Sequence, residues 1–260
     1  MSAARPPEGA RSAAEGEGTL VSAARPPEGE GTPVSAAPAA RQCGAIPIGA
    51  RPLCAALLMA LAGTSWAGRP LTVDDANTAD VGGGQVETWV ARQGDRSKTW
   101  TTALGVGVFD GVELGASFAR NTTVNENASA LQVKVRLTPS VEGGCNFGAV
   151  LGMAHTHGGV GRAHYVNGIA TCNLEAFTLH GNLGASRVVH GGTTLKTWGV
   201  AAEKAFGDVT AHLEVFGQQQ SKPTLQAGLR TELMQNVQLD GTVGRAERRA
   251  VFSVGLKFSF

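Results

Sequence analysis

Three histidines lie within a short stretch in the middle of the chain, where they could bind a metal ion. His155, His157 and His164 offer imidazole nitrogens, the commonest protein ligands of transition metals. Their spacing matches no established metal motif, so a polar loop with scattered histidines is the favoured interpretation. A nucleophile activated by a base would need a serine beside a histidine. His180 and Ser186 are too far apart on one predicted strand, and no G-x-S-x-G motif is present. We expect no metal, no cofactor and no enzymatic activity.

Two cysteines, Cys145 and Cys172, flank the tip of a predicted hairpin almost symmetrically about Gly158 and Gly159. If the two arms pair around that tip, the cysteines face each other, and an oxidising compartment would favour a disulfide. Two free thiols are the alternative, since a register slip of one residue would place the cysteines on opposite faces.

Charged and amide side chains alternate with apolar ones along several segments. At residues 112–119 and 131–138 one face is apolar, while the other carries Glu113, Lys134 and Arg136. This period of two predicts β-strands with one apolar and one polar face. In a membrane barrel the polar face would line the lumen. The candidate lumen-lining residues are Glu113, Lys134, Arg136, His180, Asn182, Lys196, His212, Glu214, Gln226, Arg230, Glu232, Asp240 and Lys257, with Gln238 between them.

Twelve alternating segments follow one another to the end of the chain. They lie at 85–91, 99–109, 112–119, 129–138, 145–155, 163–172, 176–187, 193–205, 209–217, 223–233, 237–244 and 250–260. Most hold about ten residues, the length that a tilted strand needs to cross a membrane. The pattern predicts an all-β fold, an antiparallel transmembrane β-barrel of about twelve strands. A soluble β-sandwich is the alternative.

The connections between these segments predict which end of the barrel faces the periplasm. Outer-membrane barrels combine short periplasmic turns with longer external loops. Asp110 and Gly111 form a tight hairpin signal on the expected periplasmic side. We expect longer external loops, for example at 120–126 and 156–162.

The final segment, residues 250–260, alternates throughout and ends on a phenylalanine. Phe252, Phe258 and Phe260 lie on its apolar face, and Val251 is the one apolar residue on the polar face. A terminal alternating strand that ends in Phe is typical of bacterial outer-membrane barrels, in which this segment is the assembly signal. We therefore expect the outer membrane as the location and the barrel-assembly machinery as a partner.

The first 67 residues have a different composition. Residues 1–41 are rich in Gly, Pro, Ala, Glu and Arg, and the segment 2–9 recurs at 22–29. Such a segment is expected to be disordered. It is either an interaction tail or the result of a start site placed too far upstream, and we favour the second. Residues 42–67 predict a Sec signal peptide cleaved after Ala67. The barrel would then comprise residues 68–260.

The composition excludes several classes of function. The chain has 260 residues and a formal net charge of +1, so no basic excess supports binding to nucleic acid. After residue 67 no apolar run reaches eighteen residues, so no spanning helix is expected. The 36 glycines are spread through alternating segments and form no collagen-like triplets.

Two short motifs resemble a known family. The run R-P-L-T-V-D-D-A at 69–76 resembles the mature start of the phenol-degradation meta-pathway outer-membrane proteins, a transporter family. His180-Gly-Asn-Leu-Gly184 resembles the H-x-N-x-G strand of that family. The resemblance covers residues 68–260. It implies an outer-membrane barrel that passes small, aromatic or hydrophobic compounds, and it carries over no catalytic residues.

The sequence as a whole favours a narrow passive channel for a small solute, in contact with outer-membrane lipid. Inward charges that pair with one another would instead fill the lumen, and the barrel would then be a plugged structural or surface-binding element. An outer-membrane hydrolase is the third hypothesis.

The terminal phenylalanine gives a first prediction. Replacement of Phe260 by Ala, or its deletion, is expected to reduce the amount of barrel assembled in the outer membrane, because the assembly signal ends on this residue. The amount of heat-modifiable protein in the outer-membrane fraction measures the effect. Assembly at the wild-type level would contradict the role given to this residue.

Overall fold

A computed structural model describes residues 69–94, 96–158, 161–189 and 192–260. The expected extension at 1–41 and the signal peptide at 42–67 lie outside the described residues. The described chain forms a single closed sheet, and all twelve predicted strands are present in it. No helix in the described ranges is long and apolar enough to cross a membrane.

The strands follow the alternating segments to within a few residues. Their bounds are β1 Gly84–Arg92, β2 Lys98–Phe109, β3 Val112–Asn121, β4 Glu126–Arg136, β5 Cys145–His157, β6 Gly161–Asn173, β7 Thr178–Val188, β8 Thr194–Phe206, β9 Val209–Gln218, β10 Thr224–Met234, β11 Val237–Ala246 and β12 Arg249–Ser259. The largest difference is at β4, which begins three residues before its predicted start. A polar residue pair there, Glu126 and Asn127, continues the ladder with β3 although it breaks the sequence pattern.

Each strand pairs antiparallel with its neighbours in sequence, and the last strand pairs with the first. Gln85 of β1 lies opposite Ser259 of β12, and the ladder continues to Arg92 opposite Phe252. A closed sheet has no edge strand with unpaired backbone groups. The prediction of a twelve-stranded antiparallel barrel is therefore confirmed. We call the end that holds Gly84 and Ser259 the proximal end, and the opposite end the distal end.

The predicted contrast in connection length holds only on average, because the distal connections are just slightly longer than the proximal ones. The distal connections hold two to five residues, and the proximal connections hold two to eight. The longest connection, 137–144, is proximal. The distal connections are short because β3, β4, β5 and β6 extend beyond their predicted limits into polar sequence. Backbone pairing continues there without help from an apolar face.

The two faces of the wall are inverted relative to a soluble protein. Large apolar side chains point outward, for example Leu114, Leu183 and Val254, with exposed fractions of 46%, 75% and 59%. Polar side chains point inward and are buried, for example Lys134 at 1% and Glu214 at 1%. This arrangement is suited to an apolar solvent outside the barrel and a polar interior.

The terminal strand has the predicted orientation. Phe252 and Phe258 are half-exposed on the outer face, and so is Phe260, whose backbone N–H donates to the carbonyl of Gly84 at 2.9 Å. Val251 points inward and is 8% exposed. The exception in the alternating pattern is therefore an apolar residue that packs inside the barrel.

Cys145 and Cys172 form a disulfide between the first residue of β5 and the end of β6. They lie directly opposite each other in the ladder, with their Cα atoms 4.0 Å apart. Both occupy outward positions near the proximal end, in phase with the exposed Phe147. The disulfide therefore ties one hairpin together on the outer wall.

This disulfide gives a second prediction. The double substitution Cys145→Ser and Cys172→Ser should leave the fold intact, because the β5–β6 ladder remains. It should lower the free energy of unfolding by about 3 kcal/mol, since the cross-link no longer restricts the unfolded loop. Urea unfolding in detergent measures the loss, and reduced wild-type protein is the control. Equal stability of the oxidised wild type and the double variant would contradict the effect.

Candidate functional site

The main feature of the lumen is a length of the chain itself. Residues 69–83, which we call the inner segment, precede β1 and lie inside the proximal half of the barrel. They cross the lumen from the β11–β12 side to β9, turn along β7 to β4, and reach β2 before β1 begins. No alternating pattern marks these residues in the sequence.

Arg69 anchors the start of the inner segment. Its Nη2 atom lies 2.7 Å from Oδ1 of Asp240, and its guanidinium stands 4.6 Å from the ring centre of Trp89. Its backbone N–H donates to Oε1 of Glu87 at 3.1 Å. Its carbonyl accepts a hydrogen bond of 2.7 Å from Nε2 of Gln238. Three strands, β1, β11 and β12, therefore hold this one residue, which is 6% exposed.

Glu214 binds the backbone of the segment at Thr72 and Val73. One carboxylate oxygen accepts hydrogen bonds of 2.8 Å from the N–H groups of both Thr72 and Val73. The other accepts a hydrogen bond of 2.6 Å from Nε2 of Gln226. A buried carboxylate needs such donors, since its charge would otherwise be costly to desolvate.

Asp74 forms an almost completely buried ion pair. Its Oδ1 lies 2.8 Å from Nζ of Lys134, and both side chains are almost inaccessible. The Asn182 side chain fixes the backbone of the same residue through two hydrogen bonds, of 2.7 and 2.8 Å. Burial raises the pKa of Asp74 to about 7, although the Lys134 ammonium opposes that shift. The carboxylate therefore depends on this lysine to remain charged.

The rest of the segment follows the wall towards β1. The N–H of Ala76 donates to Oγ1 of Thr171 at 2.9 Å, and that of Ala79 donates to Oε2 of Glu113 at 2.8 Å. At Gly107 the backbone of the segment passes so close to β2 that any Cβ would collide with the carbonyl oxygens of Ala79 and Asp80. A glycine is therefore required at this position for the segment to lie where it does.

A cavity of about 530 Å³ remains beside the inner segment. Leu71, Asp75 and Asn77 form its inner side, and Gln85 and Thr178 lie near the proximal end of the wall. Within it, Arg230 bridges to both oxygens of Glu203 at 2.6 and 3.0 Å. His180 Nε2 lies 3.5 Å from the same carboxylate. The cavity is therefore a charged vestibule between the inner segment and the proximal mouth.

Acidic groups outnumber basic groups in the proximal half of the lumen. Among the residues that the structure describes, eight carboxylates and five basic side chains belong to residues 69–79 of the inner segment or to inward wall positions there, a formal charge of 5 − 8 = −3. The acidic residues are Asp74, Asp75, Glu87, Glu113, Glu203, Glu214, Glu232 and Asp240, and the basic ones are Arg69, Lys134, Arg136, Arg230 and Lys257. A lumen of this charge attracts cations and repels anions.

The structure places all but one of the predicted lumen-lining residues on the inner face. Glu113, Lys134, Asn182, Glu214, Gln226, Gln238 and Asp240 bind the inner segment, while His180, Arg230, Glu232 and Lys257 line the vestibule. Arg136 pairs with Asp110 at the proximal rim, at 2.6 Å. His212 is buried near Glu214, 3.9 Å away.

Lys196 is the exception, and its predicted position in the lumen is wrong. It lies on β8 in phase with Trp198 and Val200, which are 39% and 51% exposed, and it points outward with them. Glu203, of the opposite phase, is the inward charge of that strand and bridges His180 and Arg230. Trp198 and Val200 are apolar and share the phase of Lys196, so the sequence itself favours the outer face for position 196.

Sequence reasoning also missed several residues through which the wall and the inner segment bind each other. Glu87 and Trp89 point inward from β1 and contact Arg69. Arg69 and Asp74 belong to the inner segment. Their charge, close to the predicted cleavage site, was the only feature of the sequence that indicated a buried role. The inward carboxylates do not simply pair across the lumen. Three of them accept hydrogen bonds from backbone N–H groups of the inner segment.

The histidines singled out in the sequence lie apart from one another's expected partners. His155, His157 and His164 all lie at outward positions of β5 and β6, and no cluster of three metal ligands occurs among the described residues. His180 and Ser186 both point inward from β7. They are six residues apart, about 20 Å along an extended strand, so they cannot act on each other.

A family model described as "Uncharacterised conserved protein UCP029691" matches residues 55–258. The chain belongs to this family. The match covers nearly the whole barrel, and the resemblance of the two short motifs to the phenol-degradation proteins is not confirmed. Comparison with the curated proteins found no match.

Solved structures with the same fold are outer-membrane porins. A KdgM porin in complex with disordered oligogalacturonate matches with a TM-score of 0.58 and 10% identity, over 68% of this chain and 99% of that one. A second KdgM porin structure gives 0.57 at 10% identity, again over 68% and 99%. A NanC porin gives 0.52 at 9% identity, over 67% and 98%. At such identities the likeness establishes the fold.

The Asp74–Lys134 pair gives a third prediction. Lys134→Met should weaken docking of the inner segment by about 3–5 kcal/mol, because it leaves a buried carboxylate without its counter-charge. Amide hydrogen exchange of a peptide covering residues 69–83 measures the docking. The matched control is the double variant Lys134→Met with Asp74→Asn, which removes both charges and should recover much of the protection. Unchanged exchange in Lys134→Met would contradict the role of the pair.

Proposed function

We propose that the protein is a bacterial outer-membrane channel for small uncharged or cationic solutes, narrowed by its own inner segment. The observation that carries the proposal is a closed barrel with an apolar outer face, whose polar lumen is occupied over part of its length by residues 69–83. The proposal gives the lumen no catalytic chemistry. Export through the Sec pathway and cleavage after Ala67 belong to it.

The distribution of aromatic residues supports a membrane location. Phe109, Phe147, Phe206 and Phe258 point outward near the proximal end and are 48–70% exposed. Trp100 and Trp198 point outward in the distal half. Aromatic side chains favour the two interfaces of a bilayer, so the wall between these belts would span the apolar core. The proximal end, which carries the C-terminus, would face the periplasm.

The negative charge of the lumen supports the proposed class of solute. Oligogalacturonate, the ligand of the similar KdgM porin, is a polyanion. The excess of carboxylates in this lumen would repel such a molecule. Small cations and neutral molecules, including the aromatic compounds that the motif resemblance suggested, fit both the charge and the narrow bore of a twelve-stranded barrel.

The inner segment would have a free N-terminus, which supports its release from the lumen. Cleavage after Ala67 would make Arg69 the second residue of the mature chain, so the segment would be tethered only at β1. Such a segment can leave the lumen without unthreading. Its many buried hydrogen bonds and two ion pairs also favour the alternative function, a barrel that stays plugged and serves as a structural or surface-binding element.

A disulfide engineered between the inner segment and the wall would distinguish the channel from the plugged barrel, and it gives a fourth prediction. A Cβ built on Gly199 lies 2.7 Å from Cγ2 of Val73, so cysteines at the two positions are close enough to bond. The double variant Val73→Cys and Gly199→Cys is expected to conduct when reduced and to lose most of its single-channel conductance when oxidised. The two single variants and the wild type, each with and without reductant, are the controls.

The wild-type recordings decide between the two functions. Discrete steps with cation selectivity, reduced by Glu203→Gln and Glu232→Gln, support the channel. A wild type that is silent while the barrel lacking residues 69–79 conducts would establish the plugged alternative. Silence of both would overturn the channel proposal, and anion selectivity would overturn the proposed solute class.

A further inference from the structure

Several arginine and histidine side chains lie on the outer wall at the distal end, where the lumen-based proposal gives them no role. We call this group the distal patch. It comprises outward positions on four strands, β3, β5, β6 and β7: Arg120, His155, His157, Arg162, His164 and Arg187. All are exposed except His155, which is half-buried.

The strand register makes these residues one continuous surface. Arg120 lies opposite Asn127, and Asn127 lies opposite His157. His155 lies opposite Arg162, and His164 lies opposite Arg187. Directly opposed side chains on one face stand about 5 Å apart. The patch is therefore a band about 20 Å wide across neighbouring strands.

The patch has cations without matching carboxylates. In the distal halves of β3 to β8, no outward position among the described residues is Asp or Glu. The guanidinium of Arg120 donates to the amide oxygens of Asn125 and Asn127, at 2.6 and 3.0 Å, which leaves its charge uncompensated. Arg162 and Arg187 take part in no ion pair of the described chain. The guanidinium forks are thus available to an external anion.

The height of the patch indicates where that anion lies. Directly on its proximal side the same strands present Phe118, Leu131, Met153, Val166 and Leu183, all at least 43% exposed. One step of two residues, about 7 Å, separates the last apolar side chain from the first cationic or polar one. A cationic band that borders an apolar wall coincides with the headgroup layer of a bilayer, where anionic groups are concentrated.

We propose that the distal patch binds the phosphate groups of an anionic lipid headgroup in the outer leaflet and holds that lipid against β3–β7. Three guanidiniums suit this ligand, because each can donate two parallel hydrogen bonds to phosphate oxygens. Histidines between them add further donors. The inference rests on the outer-membrane location given under the proposed function and is independent of conduction.

Lipid retention measured by native mass spectrometry tests the proposal. The full-length protein is expressed in a Gram-negative host, extracted in mild detergent and titrated with diphosphorylated lipid A. The test variant is Arg120→Gln with Arg162→Gln and Arg187→Gln. The matched control is Arg92→Gln with Arg245→Gln and Arg248→Gln, which removes three cations at the same end from β1, from β11 and from the turn that follows β11.

The wild type and the control should bind lipid A with similar affinity, and the patch variant about a hundredfold more weakly, since each cation near an anionic lipid surface contributes about fivefold. Dephosphorylated lipid A should bind the wild type as weakly as lipid A binds the patch variant. Inorganic phosphate should not displace the lipid, which separates a lipid headgroup from a free anion.

Three results would overturn the proposal: equal losses in the patch variant and the control, equal binding of the dephosphorylated lipid, or displacement by inorganic phosphate. Arg162→Gln alone, with an expected loss of about fivefold, serves if the triple variant does not assemble. Single-channel recordings of the patch variant should match the wild type. A protein that binds lipid but does not conduct would overturn the channel proposal and leave the lipid proposal standing.

Discussion

The ladder between β1 and β12 closes the wall, and closure gives every strand a hydrogen-bonded neighbour on both sides. A wall with no free edge can face an apolar solvent, because no backbone N–H or C=O is left without a partner there. Its outer side chains are then free to be apolar. Polar side chains must point inward, and their charges become concentrated in a space only a few side chains wide.

The inner segment solves the electrostatic problem that closure creates. Inward carboxylates such as Glu214 and Glu87 would be costly to bury alone, and the segment supplies backbone N–H donors to both. In return the wall satisfies a stretch of backbone that has no strand partner over most of its length. Lys134 and Asp240 complete the arrangement by pairing with Asp74 and Arg69. Segment and wall therefore depend on each other.

The two ends of the barrel differ in what they hold. At the proximal end the lumen contains charged side chains, the inner segment and the vestibule. In the distal half, inward positions carry mostly small residues, such as Ala119, Ala128 and Ala154. Charge there lies mainly on the outer face, in Arg120, Arg162 and Arg187. The proximal chemistry is thus directed at what passes through the barrel, and the distal chemistry at what surrounds it.

The sequence by itself determined the wall. Period-two alternation predicted all twelve strands, and the Phe-rich last segment predicted an outward apolar face, because these patterns depend only on neighbouring residues of one strand. The same local signal predicted most inward side chains. It failed on β8, at Lys196 and Glu203. In that strand only Trp198 and Val200 indicate which face points outward.

Only the tertiary structure decided what fills the lumen. Residues 69–83 carry no periodic pattern, because their partners are single side chains from strands far apart in sequence. Their position depends on closure, which brings β4, β9 and β11 around one space. The disulfide likewise required the register of β5 with β6, since a shift of one residue separates the two sulfur atoms. Long-range proximity of this kind is set by how the strands close on one another, which no local run of residues encodes.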